Sequence, residues 1–160
     1  MSKLFTQVSE ISVTYRPAIS DKPIVRSALD GYNIFIDFFP PGTIGLQERF
    51  LALYLNRANR ALGVYPVSIG GVTGTVADVR LILSVGLKIV ATSFMVCHNH
   101  PSCSLKPSQY DIDLTHKIKE AGKYVDMQLL DHLILSSIEK VYYSLLLRFV
   151  PCLYYQEDNN

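Results

Sequence analysis

His98 and His100 stand one residue apart at the end of an apolar run, and ten residues separate His100 from Asp111. In extended backbone, positions i and i+2 point the same way, so both imidazoles can converge on one point. Pro101 then stiffens the exit from the strand. Ser108 reads as the N-cap of a helix with Asp111 at its third position, from which the carboxylate can aim back at the two rings. Two nitrogens and one oxygen with a further position open suit a divalent metal, zinc best, with other first-row ions not excluded. The competing interpretation is a polar loop with a capping box, because Ser-x-x-Asp caps helices as well. Asp111 can do either job, and the two compete for the same oxygens.

The elements that must position these groups can be read in chain order. Ile11, Val13 and Tyr15 alternate with polar neighbours, which predicts a strand from Val8 to Tyr15. Residues 24–39 suit a helix or a strand: Ser27 can cap a helix, while Gly31 and the aromatic run Ile34 to Phe39 speak against a long one. Pro40-Pro41-Gly42 is punctuation. LQERFLALYL over residues 46–55 predicts a buried strand, Asn56 to Arg60 a polar turn, and Ala61 to Ser68 a returning strand, together a hairpin. Gly70, Gly71 and Gly74 mark a loop, and Thr75 or Asp78 can cap a helix to about Lys88 carrying Val79, Ile82, Leu83 and Leu87 at helical spacing. A short apolar strand runs from Ser93 to Cys97. The helix after Ser108 places Tyr110, Leu114, Ile118 and Ala121 on one face and ends at Gly122. Leu129 to Ser136 and Val141 to Leu147 predict two last strands. Strands interleaved with helices predict an α/β or α+β class around a mixed sheet.

Bulk properties narrow the function classes. The 160 residues are 49% hydrophobic and 18% charged, which suits one soluble domain with a real core. A net charge of +1 gives no electrostatic case for nucleic acid. Three cysteines at 97, 103 and 152 fit no disulfide framework and predict a reducing, cytoplasmic setting. MSKLFTQVSE lacks the apolar core of a signal peptide, and no apolar run is long enough to span a bilayer, so no membrane association is expected.

His98-x-His100-Pro101, then Ser108-x-x-Asp111 after six residues, resembles the JAMM motif of the JAB1/MPN/Mov34 metalloenzymes. HNHPSCSLKPSQYDIDLTHKIKEAG, LLDHLIL and YYS, with LQERFLALYLNRANRALGVYPVSIGGVTGTVADVR upstream, are similar to the RadC-like JAB domain of bacteria. The likeness covers about residues 46–145. It implies a cytidine deaminase-like JAB/MPN fold, a central mixed sheet flanked by helices, in which residues 46–150 form the JAB domain. Residues 1–45 are then an N-terminal extension packed on it, and 151–160 a frayed tail. It also implies one zinc ion per chain held by His98, His100 and Asp111, with Glu48 as general base. Glu48 lies in an apolar stretch where a carboxylate is costly unless it has a job or a partner; its plainer role is a solvent-facing edge charge. The implied reaction is hydrolysis of a peptide or isopeptide bond by water activated at the metal. Glu48 would move the proton to the leaving amine, and Ser108 would help the metal stabilise the oxyanion.

Some residues depart from the family pattern or stand beside it. Cys103 and Ser104 replace a usual Gly and an acidic or Asn position, so Cys103 enters the loop beside the metal as a possible extra ligand, an oxidation-sensitive neighbour or an inert thiol. Asp131 and His132 match a Leu-Asp-His segment; His132 either fixes a ligand's orientation or is a structural buried histidine. Asp78 and Arg80 read as a cap and a salt bridge. The apolar stretch Leu145 to Tyr155, with Cys152, can pack on the core or support a homo-oligomer. A rival class is a non-catalytic metal-binding JAB domain that serves as an interaction module in DNA repair, an association carried only by the family's name. Residues 1–45 show no helix-hairpin-helix pattern. An HNH nuclease draws its three residues from distant points, unlike the adjacent His98-Asn99-His100, and the Pro-Cys-x-x-Cys pair of deaminases is absent.

Overall fold

A computed structural model describes residues 15–16, 21–70, 76–138 and 141–146. Most of the strand expected over residues 8–15, Thr75, Cys152 and the tail 151–160 lie outside the described residues. The elements follow in the order α1 (Ala28–Ile36), β1 (Arg49–Leu55), β2 (Ala61–Ile69), α2 (Val79–Lys88), β3 (Ser93–Asn99), α3 (Gln109–Lys123), β4 (Gln128–Leu135) and β5 (Tyr142–Ser144). Among the described residues, five strands form one sheet in the order β2-β1-β3-β4-β5. The β1–β2, β1–β3 and β4–β5 pairs are antiparallel, whereas β3 and β4 run parallel with α3 as their crossover. This is the mixed α/β arrangement expected of a JAB/MPN fold.

The central strands are apolar on both faces because both faces are covered. Alternation sends Leu51, Leu53, Leu55, Met95 and Cys97 to the face packed by Tyr32 and Phe35 of α1. Phe50, Ala52, Tyr54, Phe94 and Val96 go to the other face, against Ile82 of α2 and Leu114 and Ile118 of α3. The same period of two carries His98 to the α3 side and turns the fully buried Asn99 away from it.

The open question over residues 24–39 is decided for a helix. Ser27 caps α1 through its Oγ, which accepts from Asp30 N at 3.2 Å, and Asp30 Oδ2 accepts from Ser27 N at 3.0 Å. The helix ends at Ile36, before Phe38 and Phe39, so the aromatic run is divided between a last turn and the loop that follows. Gly31 is compatible with the helix because α1 lies tight on β3: a Cβ there would meet Met95 Cε at 2.5 Å.

Several expectations shift. β1 begins at Arg49, so Glu48 sits just before the strand, half-buried, with its carbonyl accepting from Gly70 N at 2.8 Å. β3 extends two residues past Cys97 to include His98 and Asn99. β5 spans only Tyr142–Ser144. Asp78 caps α2 and pairs with Arg80 at 2.7 Å, as the plainer interpretation had it. Leu87 and Tyr110 are about half exposed, at 51% and 50%, because the buried faces run through Val79, Ile82 and Gly86 in α2 and through Asp111, Leu114, Thr115 and Ile118 in α3.

Gly122 does not end α3, which continues to Lys123 with Tyr124 as its C-cap. Its lack of a side chain matters instead for close approach, since a Cβ would lie 2.4 Å from the main-chain oxygen of Met127. Gly122→Ala is therefore expected to destabilise by about 1–3 kcal/mol, because main chain must move. Gly31→Ala meets the flexible end of Met95 and should cost less. Urea-unfolding midpoints of the two variants test this ordering.

Candidate metal centre

His98 leaves the end of β3 under a lid formed by Phe50. The two rings are parallel to within 2° at 6.0 Å, and Phe50 meets His132 edge-on at 5.4 Å. His98 is 3% exposed and cannot swing out of this packing. His100 lies two residues on, at the rim. Its Nδ1 donates to Ser104 O at 2.6 Å, which leaves Nε2 with a lone pair turned inward. The Nε2 atoms of His98 and His100 face one another at 2.9 Å.

Asp111 completes the group from the first turn of α3. Its Oδ1 is 3.2 Å from His98 Nε2, and its Oδ2 is 3.9 Å from His100 Nε2. The expected competition for this carboxylate is resolved by its two oxygens. Oδ2 accepts from Ser108 N at 2.7 Å and from Ser108 Oγ at 2.6 Å, closing the capping box. Oδ1 stays directed at His98, and the oxygen nearer His100 is the capping Oδ2. Burial by itself would raise the Asp111 pKa, but the contact and charge of His98 and the two Ser108 donors outweigh it and hold the carboxyl below the usual range.

The residues fit a divalent cation. One ligand atom from each of His98, His100 and Asp111 can be chosen so that all lie within 4.8 Å of one another. Tetrahedral bonds of about 2.0–2.1 Å put ligand atoms roughly 3.4 Å apart, and the nearest approaches between the side chains, 2.9 Å between the two imidazoles, 3.2 Å from His98 to Oδ1 and 3.9 Å from His100 to Oδ2, lie around that value. Two imidazole nitrogens crowded against a carboxylate in a largely buried place repel one another unless positive charge lies among them.

The remaining sequence candidates fall in different places. Ser108 touches the group through Asp111. His132 is fully buried with Nε2 2.9 Å from His98 Nδ1, on the side of the ring away from the donor group. Burial, reinforced by the charge of His98, pushes its pKa well below the ordinary histidine value. Asp131 points elsewhere: its carboxylate accepts from His132 N at 2.7 Å and Ser144 Oγ at 2.8 Å, tying β4 to β5, and burial raises its pKa. Cys103 is exposed, with its Sγ 2.7 Å from Ser137 Oγ and its φ at 61°. The chain thus keeps the left-handed backbone that a glycine would adopt freely, and the thiol ties the loop after His100 to the turn after β4.

Two contributors escaped the sequence reading. Asn99, between the histidines, accepts from Arg49 N at 2.8 Å and donates to Ile44 O at 2.6 Å and Gln47 O at 3.0 Å. It therefore holds the segment that carries Glu48. Thr115 bonds His132 Nδ1 at 2.6 Å from the next turn of α3. Its spacing of four from Asp111, which puts both on one helix face, was the available signal.

His132 also makes a pH prediction. Its folded-state pKa is depressed, so below about pH 6.5 the unfolded chain binds a proton that the fold excludes. Its contribution to stability is intact above about pH 6.5 and declines as pH falls, by up to about 1.4 kcal/mol per pH unit. Urea unfolding between pH 7.5 and 5 should show this slope, reduced in His132→Asn.

A mixed sheet with a His-His-Asp group at the end of a parallel strand defines a JAB-type domain with a candidate metal site. The chain belongs to the RadC-like JAB domain family, whose model matches residues 26–148. It is 47% identical over 98 residues to a UPF0758 protein of Flavobacterium johnsoniae, covering 61% of this chain and 42% of that one. It is 38% identical over 112 residues to a UPF0758 protein of Bacillus pumilus, covering 70% and 49%, and 42% identical over 98 residues to one of Streptococcus suis, covering 61% and 39%. The chain thus spans less than half the length of these relatives, whose names describe no activity. Among the described residues no helix is long and apolar enough to cross a membrane.

Proposed function

We propose that this protein is a zinc-dependent hydrolase of the JAMM type, acting in the cytoplasm on a peptide or isopeptide bond. The observation that carries the proposal is the meeting of His98, His100 and Asp111, each presenting an atom able to bind a cation. These three residues would hold zinc, which when bound supplies Lewis acidity that makes water a nucleophile near neutral pH.

The chain's own residues supply the rest. Phe50 pairs with His98, and Arg49 N bonds the side chain of Asn99. Glu48 immediately precedes Arg49 and has the same strand parity as Phe50, which supports the reading that its carboxylate serves the donor group. In this reading Glu48 takes the proton of the attacking water as the C–O bond forms, and returns it to the amine as the C–N bond breaks. Ser108 serves the oxyanion by turning its hydroxyl from Asp111 to the substrate, while its N–H retains the cap. The buried rings of Phe50 and His98 exclude bulk water from one wall.

Elemental analysis paired with a cleavage screen of peptides and ubiquitin-like conjugates tests this function. About one zinc per chain and metal-dependent cleavage are expected. Purified, folded protein that takes up no divalent metal would defeat the proposal.

A further inference from the structure

Proton counting around Thr115 reaches the metal centre from the main chain of α3. The Thr115 hydroxyl lies 2.6 Å from Asp111 O and 2.6 Å from His132 Nδ1. It has one proton, and a carbonyl oxygen can only accept, so that proton goes to Asp111 O. His132 Nδ1 must then be the donor to Thr115 Oγ1, since two acceptors would not sit this close. His132 is fully buried and its two nitrogens face a hydroxyl and an imidazole, so it carries one proton, on Nδ1. Its Nε2 is left as an acceptor 2.9 Å from His98 Nδ1. His98 Nδ1 is therefore protonated, and His98 Nε2 is left bare toward Asp111 and the likewise bare His100 Nε2 at 2.9 Å, an approach that requires the positive charge a bound cation would supply.

We propose that Thr115 and His132 form a positioning relay that dictates the tautomer of His98 and thereby the retention of the metal. The inference rests on the metal-binding function above and assigns Thr115 a part in it. Neither residue touches the metal position; both act through His98. The group that holds His98 is a neutral imidazole and not a carboxylate, so the relay orients His98 without adding negative charge to the site. It also anchors Asp111 and His98 to the same hydroxyl, one by its main chain and the other through His132.

Thr115→Val keeps the shape and removes the acceptor for His132 Nδ1–H. His132 then gains by moving its proton to Nε2 and donating to His98, which drives the His98 proton to Nε2, where the metal must bind. The expected result is a zinc dissociation constant raised about 10–100-fold, whereas Thr115→Ser stays within about threefold of the parent. Long-range proton–nitrogen NMR of the full chain at pH 8 reads the tautomers directly, with and without added zinc. His132 should carry its proton on Nδ1 in both forms of the wild type and on Nε2 in Thr115→Val. A wild-type proton on Nε2 of His132, or equal zinc affinities for the valine and serine variants, overturns the relay. If the valine variant does not fold, the wild-type spectrum still decides. If the wild type takes up no zinc, the proposed function fails and the metal-retention part of the relay falls with it, while the His132 tautomer decides separately whether Thr115 sets the proton position.

Discussion

Glu48→Gln is expected to keep one zinc per chain and lose turnover by a factor on the order of 10²–10⁴, the usual worth of a positioned general base. Gln has the same length and shape but cannot take a proton. The substitution should leave the fold alone, because Glu48 lies before β1 and is held through its carbonyl, which accepts from Gly70 N. The segment is fixed from below by Asn99, whose bonds to Ile44, Gln47 and Arg49 do not involve the Glu48 side chain. Loss of kcat with unchanged zinc content and unchanged unfolding midpoint is the expected combination. Cleavage of a peptide or isopeptide substrate at the parent rate by Glu48→Gln would remove Glu48 from the mechanism.

His98→Ala and His100→Ala are both expected to abolish zinc retention, each weakening affinity on the order of 10²–10³-fold or more if total binding of about 10–16 kcal/mol is spread over the ligands. The two variants should part company in stability. His98 is 3% exposed, packs against Phe50 and bonds His132, so its removal opens a cavity and leaves Nε2 of the buried His132 without its partner. Zinc-free His98→Ala should lose about 2–4 kcal/mol of stability. His100 sits at the rim with its side chain 15% exposed, and His100→Ala should lose less. Zinc content after gel filtration and urea midpoints of the metal-free proteins measure both effects. Equal stabilities would show that the Phe50–His98–His132 stack contributes little to the fold.

Much of the donor group was legible in the chain as written. Two imidazoles at i and i+2 share a face wherever the backbone is extended, and Ser108-x-x-Asp111 defines a helix start whatever packs around it. The apolar runs of β1 and β3 announced buried strands, and Ser27 offered a helix cap while leaving residues 24–39 open between helix and strand. These are local rules in which residue type and spacing suffice. Long-range packing decided the rest. Within residues 24–39 only Ala28–Ile36 became a helix, with Gly31 lying tight against Met95 of β3, and Gly122 allows the approach of Met127 and does not act as a stop. Which Asp111 oxygen caps and which faces His98 depends on the angle at which α3 meets β3. The bonds of His132 to Thr115 and His98 join residues 17 and 34 positions apart. No periodicity records such pairings, because they arise only when the β3–α3–β4 crossover lays the helix across the two strands.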